Sequence, residues 1–62
     1  MKFSLKVLTI RAKLNLSQKE LARLLSVSFA TVNRWENAKT VPSKKTLLMV
    51  EQFCKANNIE IE

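Results

Sequence analysis

The sequence predicts a compact all-α domain of four helices, with room for a short fifth turn near the end. Apolar residues recur at helical spacing in four segments, and three of those segments begin directly after a serine: Ser17, Ser28 or Ser43. Glycine is absent and proline occurs once, which disfavours the tight turns of a small β-fold. The 62 residues allow one domain, and a chain of this size buries only about 60% of its unfolded surface. We therefore expect a narrow stability margin.

The first helix is predicted over residues 4–14. Its apolar stripe has spacings of four, three and four residues and consists of Phe3, Val7, Ile10 and Leu14. Asn15 is a plausible terminator, because asparagine tolerates a positive φ better than most residues other than glycine.

The second helix is predicted over residues 18–25. Ser17 and Glu20 have the spacing of a capping box, in which each side chain accepts from the other residue's backbone N–H. The inward face is predicted to consist of Leu21, Ala22, Leu24 and Leu25, with the small Ala22 where a neighbouring helix crosses.

The third helix is predicted over residues 29–37, with Ser28 as its cap. Val32 and Trp35 form its inward stripe, while Asn33, Arg34 and Asn37 stay outside. Only two residues separate the second segment from this cap, so the two helices must cross steeply, as in a helix-turn-helix.

The fourth helix is predicted over residues 44–57, after Pro42 and the cap Ser43. Leu47, Val50 and Cys54 are expected to face inward, with Leu48 and Phe53 beside them. Residues 59–62 alternate as a strand would, but four residues cannot form a sheet alone. This tail is expected to be frayed, to pair with another copy, or to lead into further sequence.

Positive charge is concentrated in the first three quarters of the chain. Residues 1–45 hold ten Lys and Arg against two glutamates, a net +8, whereas residues 46–62 hold one Lys against three glutamates, a net −2. Charge alone leaves open either phosphate binding or a solvated basic surface. A helix-turn-helix pattern in the basic part favours nucleic acid.

Several classes of function are disfavoured by what the sequence lacks. One cysteine excludes an internal disulfide, and without histidine a conventional zinc site is not credible, so no metal or cofactor is expected. No apolar run is long enough for a membrane span, and the first residues lack a secretory h-region. No nucleophile–base pair, metal cluster or phosphate loop can be assembled, so we expect no enzyme. A cytoplasmic location follows by elimination.

The motif residues resemble the Cro/cI-type (XRE-like) helix-turn-helix family, to which the lambda repressor belongs. The similarity lies in Leu16-Ser17-Gln18, Glu20-Leu21-Ala22, Val27-Ser28, Thr31-Val32 and Trp35-Glu36-Asn37, and continues through Lys39 and Pro42-Ser43. It implies a lambda-repressor-like DNA-binding domain over residues 1–58, with the motif at 17–37, in a bacterial or phage transcriptional regulator. It also implies a structural ion pair between Arg11 and Glu36. Ser26 and Ala38 stand where the family usually has glycine.

The resemblance implies that the third helix reads double-stranded DNA in the major groove through Ser28, Phe29, Ala30, Asn33 and Arg34. Arg34 suits the O6 and N7 atoms of guanine, Asn33 suits adenine, and apolar side chains suit the thymine methyl group. Ser28 can bond either a base or a phosphate. Phe29 has an alternative, which is to fold back onto the core as a hydrophobic staple.

Phosphate contacts are expected on both sides of this helix. They are assigned to the start of the second helix, where the helix dipole favours an anion, and to the loop and helix that follow the third: Ser17, Gln18, Asn37, Lys39, Lys44 and Lys45.

A single module of this size would cover one half-site, so a free-standing repressor is expected to pair as a homodimer. Pairing would use the outer face of the fourth helix, with Leu48, Met49 and Phe53, or sequence beyond this chain. Two other functions remain open: a DNA-targeting module of a restriction-modification or helicase-type protein, and an antitoxin-like interaction module.

Overall fold

A computed structural model describes residues 2–60 as four α-helices, with no strand in that part of the chain. They are α1 (Phe3–Leu14), α2 (Gln18–Leu25), α3 (Phe29–Glu36) and α4 (Lys44–Ala56). The all-α fold predicted from the sequence is confirmed. Ile61 and Glu62, the end of the expected tail, lie outside the described residues.

Serine side chains cap three helices, as their positions predict. Ser17 accepts from the backbone N–H of Glu20 at 3.0 Å, and the Glu20 carboxylate accepts from the Ser17 N–H at 2.8 Å, so the capping box is complete. Ser28 and Ser43 each accept from the N–H three residues on. The start of α2 matches the prediction, and α1 begins one residue earlier than predicted.

Asparagine side chains close α3 and α4 one residue before the predicted ends. Asn37 Nδ2 donates to the Asn33 carbonyl at 2.8 Å, and Asn57 Nδ2 donates to the Phe53 carbonyl at 2.9 Å. Each asparagine therefore acts as a C-cap and does not belong to the last helical turn.

One core joins all four helices. Its buried residues are Val7, Ile10, Leu21, Ala22, Leu25, Val32, Trp35, Val50, Cys54 and Ile59. Phe3 packs against this core at the edge, with its ring perpendicular to that of Trp35 and the ring centroids 5.4 Å apart. Edge-to-face packing of this kind is favourable for aromatic pairs.

Two leucines predicted to face the core do not. Leu24 is 56% exposed and Leu47 is 40% exposed. Leu24 lies about 100° around α2 from the buried Leu25, outside the arc that contacts other helices. Leu47 lies in the first turn of α4, before Val50, the first buried residue of that helix. The beginning of α4 therefore extends past the core.

Ile59 belongs to the core although the sequence placed it in the tail. Its side chain is buried, and its backbone N–H donates to the Cys54 carbonyl at 2.8 Å. Asn58 precedes it at φ 56°, so the chain turns sharply after α4 and returns an apolar side chain to the core. This contact is typical of a helix C-terminus and requires no strand.

The same chain reversal ends all four helices, and no glycine takes part. The left-handed residues are Asn15, Ser26, Ala38 and Asn58, with φ between 55° and 58°. In each case the next residue donates its N–H to the carbonyl five positions earlier, at 2.8 to 3.1 Å. Outside glycine, asparagine and aspartate, this conformation costs about 1–2 kcal/mol. Ser26 and Ala38 therefore carry local strain.

No helix of the described chain combines enough length with enough apolar character to traverse a lipid bilayer.

Candidate nucleic-acid interface

Helices α2 and α3 form a tightly connected pair. The chain turns at the left-handed Ser26, and Val27 packs half-buried against the core. Ser28 then opens α3. At the end of α2, the carbonyl of the buried Ala22 accepts a hydrogen bond from the Val27 N–H at 2.9 Å. This bond and the cap at Ser28 orient α3 relative to α2.

Helix α3 has two faces of opposite character. Val32 is fully buried and Trp35 is 6% exposed, so one face is fixed against the core. The other, which we name the reading face, consists of Phe29, Ala30, Asn33 and Arg34, of which only Asn33 is half-buried. Phe29 is 46% exposed and does not pack against the core, so the staple alternative is not adopted.

Arg34 is available to a ligand. Its side chain is exposed, and within residues 2–60 it makes neither a hydrogen bond nor an ion pair. A guanidinium presents its donors in a planar fork that matches two neighbouring acceptors. The free fork can therefore bind a guanine edge or a phosphate.

The other arginine in this region, Arg11, is held inside the fold by Glu36. Its Nε donates to Glu36 Oε2, its Nη2 donates to Oε1 at 2.7 Å, and its Nη1 donates to the Leu16 carbonyl at 3.2 Å. The two side chains are only 22% and 11% exposed. The Arg11 hydrogen bond holds the pKa of Glu36 below its usual value, against the effect of burial, and Gln18 contributes in the same direction. This pair ties α1 to the end of α3.

A chain of hydrogen-bonded side-chain amides connects this ion pair to the reading face. Gln18 Nε2 donates to Glu36 Oε1 at 2.9 Å, and Gln18 Oε1 accepts from Asn33 Nδ2 at 3.3 Å. Asn33 Oδ1 accepts in turn from Asn37 Nδ2 at 3.2 Å. Asn33 is therefore held in one orientation from both sides, with one N–H and one lone pair remaining.

The structure joins by hydrogen bonds three residues to which the sequence assigns different ligands. The sequence assigns Gln18 and Asn37 to phosphate and Asn33 to a base. The four-residue spacing of Asn33 and Asn37 on one helix could have indicated their contact. No sequence signal indicates the contact with Gln18, because it joins two helices.

Three serine and threonine hydroxyls near the site are committed to helix caps. Ser17 accepts from Glu20, and Ser28 Oγ lies 2.8 Å from Thr31 Oγ1 while also accepting from the Thr31 N–H at 3.1 Å. The backbone N–H bound by Glu20 lowers the pKa of that carboxyl, which stays charged beside the cap. Ser17 and Ser28 can bind DNA only through their remaining donor or acceptor capacity.

The lysines expected to contact phosphate are exposed beyond the end of α3. Lys39 follows the left-handed Ala38, and Lys44 and Lys45 form the start of α4. Within residues 2–60 none of the three is in an ion pair, whereas Lys55 lies 3.7 Å from Glu51 on the same helix. These three lysines are therefore available to bind phosphate beyond the end of α3.

Residues 2–60 contain no group of three histidine, cysteine or acidic side chains that could hold a metal ion. Cys54 is buried in the core, and burial raises the pKa of its thiol.

Comparison with known families identifies a helix-turn-helix family. A family model described as HTH_3, helix-turn-helix, matches residues 7–57, which include nearly all of the four helices. No match was found among curated proteins or among solved structures.

Proposed function

The chain belongs to the Cro/cI-type (XRE-like) helix-turn-helix family of DNA-binding domains, and from this premise we propose that it is a bacterial or phage transcriptional regulator acting in the cytoplasm. It would bind double-stranded DNA sequence-specifically, with α3 in the major groove, and would have no catalytic role. One observation carries the proposal: α3 is fixed on one side by Val32 and Trp35 and exposes a free Arg34 on the other.

Base reading is assigned to the reading face and Ser28. Arg34 donates two hydrogen bonds to a guanine, and a good bidentate pair of this kind is worth about 1–3 kcal/mol of discrimination. Asn33 uses its remaining N–H and lone pair on adenine. Ser28 adds a hydrogen bond to a base or a phosphate, and Phe29 and Ala30 contact a thymine methyl group.

Phosphate binding is assigned to the two ends of the motif. Ser17, Gln18 and the first backbone amides of α2 take one phosphate, because the helix dipole favours negative charge there. Asn37, Lys39, Lys44 and Lys45 take phosphates beyond α3. The net charge of +8 over residues 1–45 supports this assignment, since cations bound to phosphate displace counterions.

Gln18 has a second role in this proposal. It still has one N–H for a phosphate, its other N–H donates to Glu36, and its Oε1 accepts from Asn33. A phosphate bound at the start of α2 is therefore connected through one side chain to the amide that reads a base.

Homodimerisation is part of the proposal for a free-standing regulator, because one domain contacts one half-site. The surface proposed for it includes Leu48, which is 55% exposed on α4. A palindromic operator would then be expected.

The test is a selection from random duplexes with the purified protein, followed by binding measurements at several salt concentrations. Arg34→Ala should remove preference for the selected sequence more than it weakens bulk binding. Lys44→Ala should weaken binding to all duplexes and reduce the salt slope by about one.

The sites recovered by the selection distinguish the proposed function from the two alternatives. Palindromes support the dimeric regulator, whereas short single sites indicate a DNA-targeting module. Failure to bind any duplex, or binding that does not change with salt, overturns the proposal and favours an interaction module.

A further inference from the structure

The reading face joins an apolar surface to a single free cation. Phe29 and Ala30 are both exposed at the first turn of α3, and Arg34 follows Ala30 by four residues. Residues with this spacing are neighbours on a helix surface, about 5–6 Å apart at Cβ. A duplex that places guanine at Arg34 therefore places a neighbouring base edge at the apolar pair.

We infer that this face reads the C5-methyl group of a pyrimidine next to guanine, and so binds DNA containing 5-methylcytosine as well as it binds DNA containing thymine. The inference rests on the proposed function, since it requires α3 to lie in the major groove. It adds a ligand class, methylated DNA, to that function.

The chemistry follows from what the two bases share. In the major groove thymine presents a C5-methyl group and the O4 acceptor, and cytosine presents an N4 amino donor. Methylation at C5 gives cytosine the same methyl group and leaves its amino donor unchanged. Only a polar side chain at position 4 of the pyrimidine or at the purine opposite could distinguish the thymine pair from the 5-methylcytosine pair, and Phe29 and Ala30 carry none.

The polar groups nearest this pair are partly engaged within the fold. The Ser28 hydroxyl caps α3 and contacts the Thr31 hydroxyl at 2.8 Å. The Asn33 amide is held by Gln18 and by Asn37. Asn33 and Ser28 keep only the capacity assigned above to other base or phosphate contacts, so the methyl group is the feature of the pyrimidine that Phe29 and Ala30 detect.

The experiment uses four duplexes that differ at one position, namely the thymine next to the guanine read by Arg34 in the selected site. The position carries thymine, uracil, cytosine or 5-methylcytosine, with the complementary base opposite. Thymine and 5-methylcytosine should bind within about two-fold of each other. Uracil and cytosine should bind about four-fold more weakly, the loss expected for one buried methyl group.

Two substitutions separate the methyl contact from the rest of the interface. Phe29→Ser should make thymine bind like uracil and 5-methylcytosine bind like cytosine, whereas Phe29→Leu should keep both preferences for the methyl group. Leu24→Ser, at another exposed apolar position, is the matched control and should leave all four affinities in their original order. Circular dichroism and an unchanged salt slope would verify that Phe29→Ser folds and still grips the backbone.

The outcomes distinguish this inference from the function on which it rests. Equal binding of thymine and uracil, with Arg34-dependent specificity retained, overturns the methyl contact alone. Binding of thymine with rejection of 5-methylcytosine also overturns it, because the base pair is then being read through position 4 or through the purine opposite. Failure to bind any of the duplexes overturns the proposed function itself.

Discussion

The two faces of α3 are stabilised in different ways although they belong to one helix of eight residues. On the buried face, Val32 and Trp35 join a cluster to which all four helices contribute. On the reading face, Asn33 is positioned by two hydrogen bonds, and Arg34 is held by nothing in residues 2–60. Packing of the first kind is collective, whereas reading depends on individual side chains. The fold should therefore respond strongly to changes on one face and weakly to changes on the other.

The largest expected effect tests that contrast directly. Trp35→Ala should lower the free energy of unfolding by about 3–5 kcal/mol, since it removes a buried aromatic residue from the core. Phe29→Ala, on the same helix but 46% exposed, should cost less than about 1 kcal/mol. Urea unfolding followed by circular dichroism measures both. Equal losses would show that the two faces are not energetically distinct.

The next effect concerns the Arg11–Glu36 ion pair, which joins α1 to the end of α3. Glu36→Gln should lower the free energy of unfolding by about 1.5–3 kcal/mol, because Arg11 then stays largely buried without its counter-charge. Glu51→Gln breaks the exposed pair with Lys55 and should change stability by less than about 1 kcal/mol. A comparable loss in both variants would contradict a special role for the Arg11–Glu36 pair.

The same pair predicts an acid dependence. The pKa of Glu36 is lower in the folded protein than its ordinary value of 4.5, so its contribution to stability is present above that value. It is lost as pH falls through the folded pKa. Glu36→Gln should remove this part of the acid destabilisation and leave the part due to Glu20, whose pKa is also lowered. Urea midpoints measured at several acidic pH values would show parallel curves if Glu36 contributes nothing.

The smallest effect should be a gain in stability. Ala38→Gly relieves a left-handed alanine at φ 55° and should raise the free energy of unfolding by about 1 kcal/mol. Ala12→Gly is the matched control, because Ala12 lies exposed inside α1 and should lose about 1 kcal/mol. Destabilisation by both substitutions would mean that the strain at Ala38 is negligible. Neither change touches the reading face, so DNA preference should be unaffected.

Much of the fold could be predicted because its signals are local. The capping box of Ser17 and Glu20 marks the start of α2, and Asn15 marks the end of α1. Helical spacing identified Val32 and Trp35 as buried. These features depend on residues a few positions apart, and spacing within one helix is what a sequence displays directly.

The incorrect predictions concern residues whose burial depends on how far a neighbouring part of the chain extends. Periodicity gives the direction in which Leu47 points, but it does not show that no neighbour reaches the first turn of α4. The sequence assigns Ile59 to a tail that is frayed, pairs with another copy or leads into further sequence, whereas its side chain, after the left-handed Asn58, is buried in the core. The pattern within one segment does not show how far its neighbours in the fold extend.

The sequence predicted which residues of the candidate site are exposed, but it did not predict the hydrogen bonds between them. The exposure of Phe29, Ala30 and Arg34 follows from helical phase once Val32 and Trp35 are assigned inward. The hydrogen bonds through Gln18 and Asn33 do not follow, because they depend on side-chain conformations on two helices at once.

Trp35 has a practical consequence for anyone who studies this protein in solution. It is the only tryptophan and there is no tyrosine, so the ultraviolet emission of the chain comes almost entirely from one indole. That indole lies in the core against the Phe3 ring, whereas Arg34 lies on the exposed reading face of α3. Its emission wavelength should therefore report unfolding and remain nearly unchanged when DNA binds. The protein thus carries an intrinsic optical probe of its fold that is insulated from its proposed ligand.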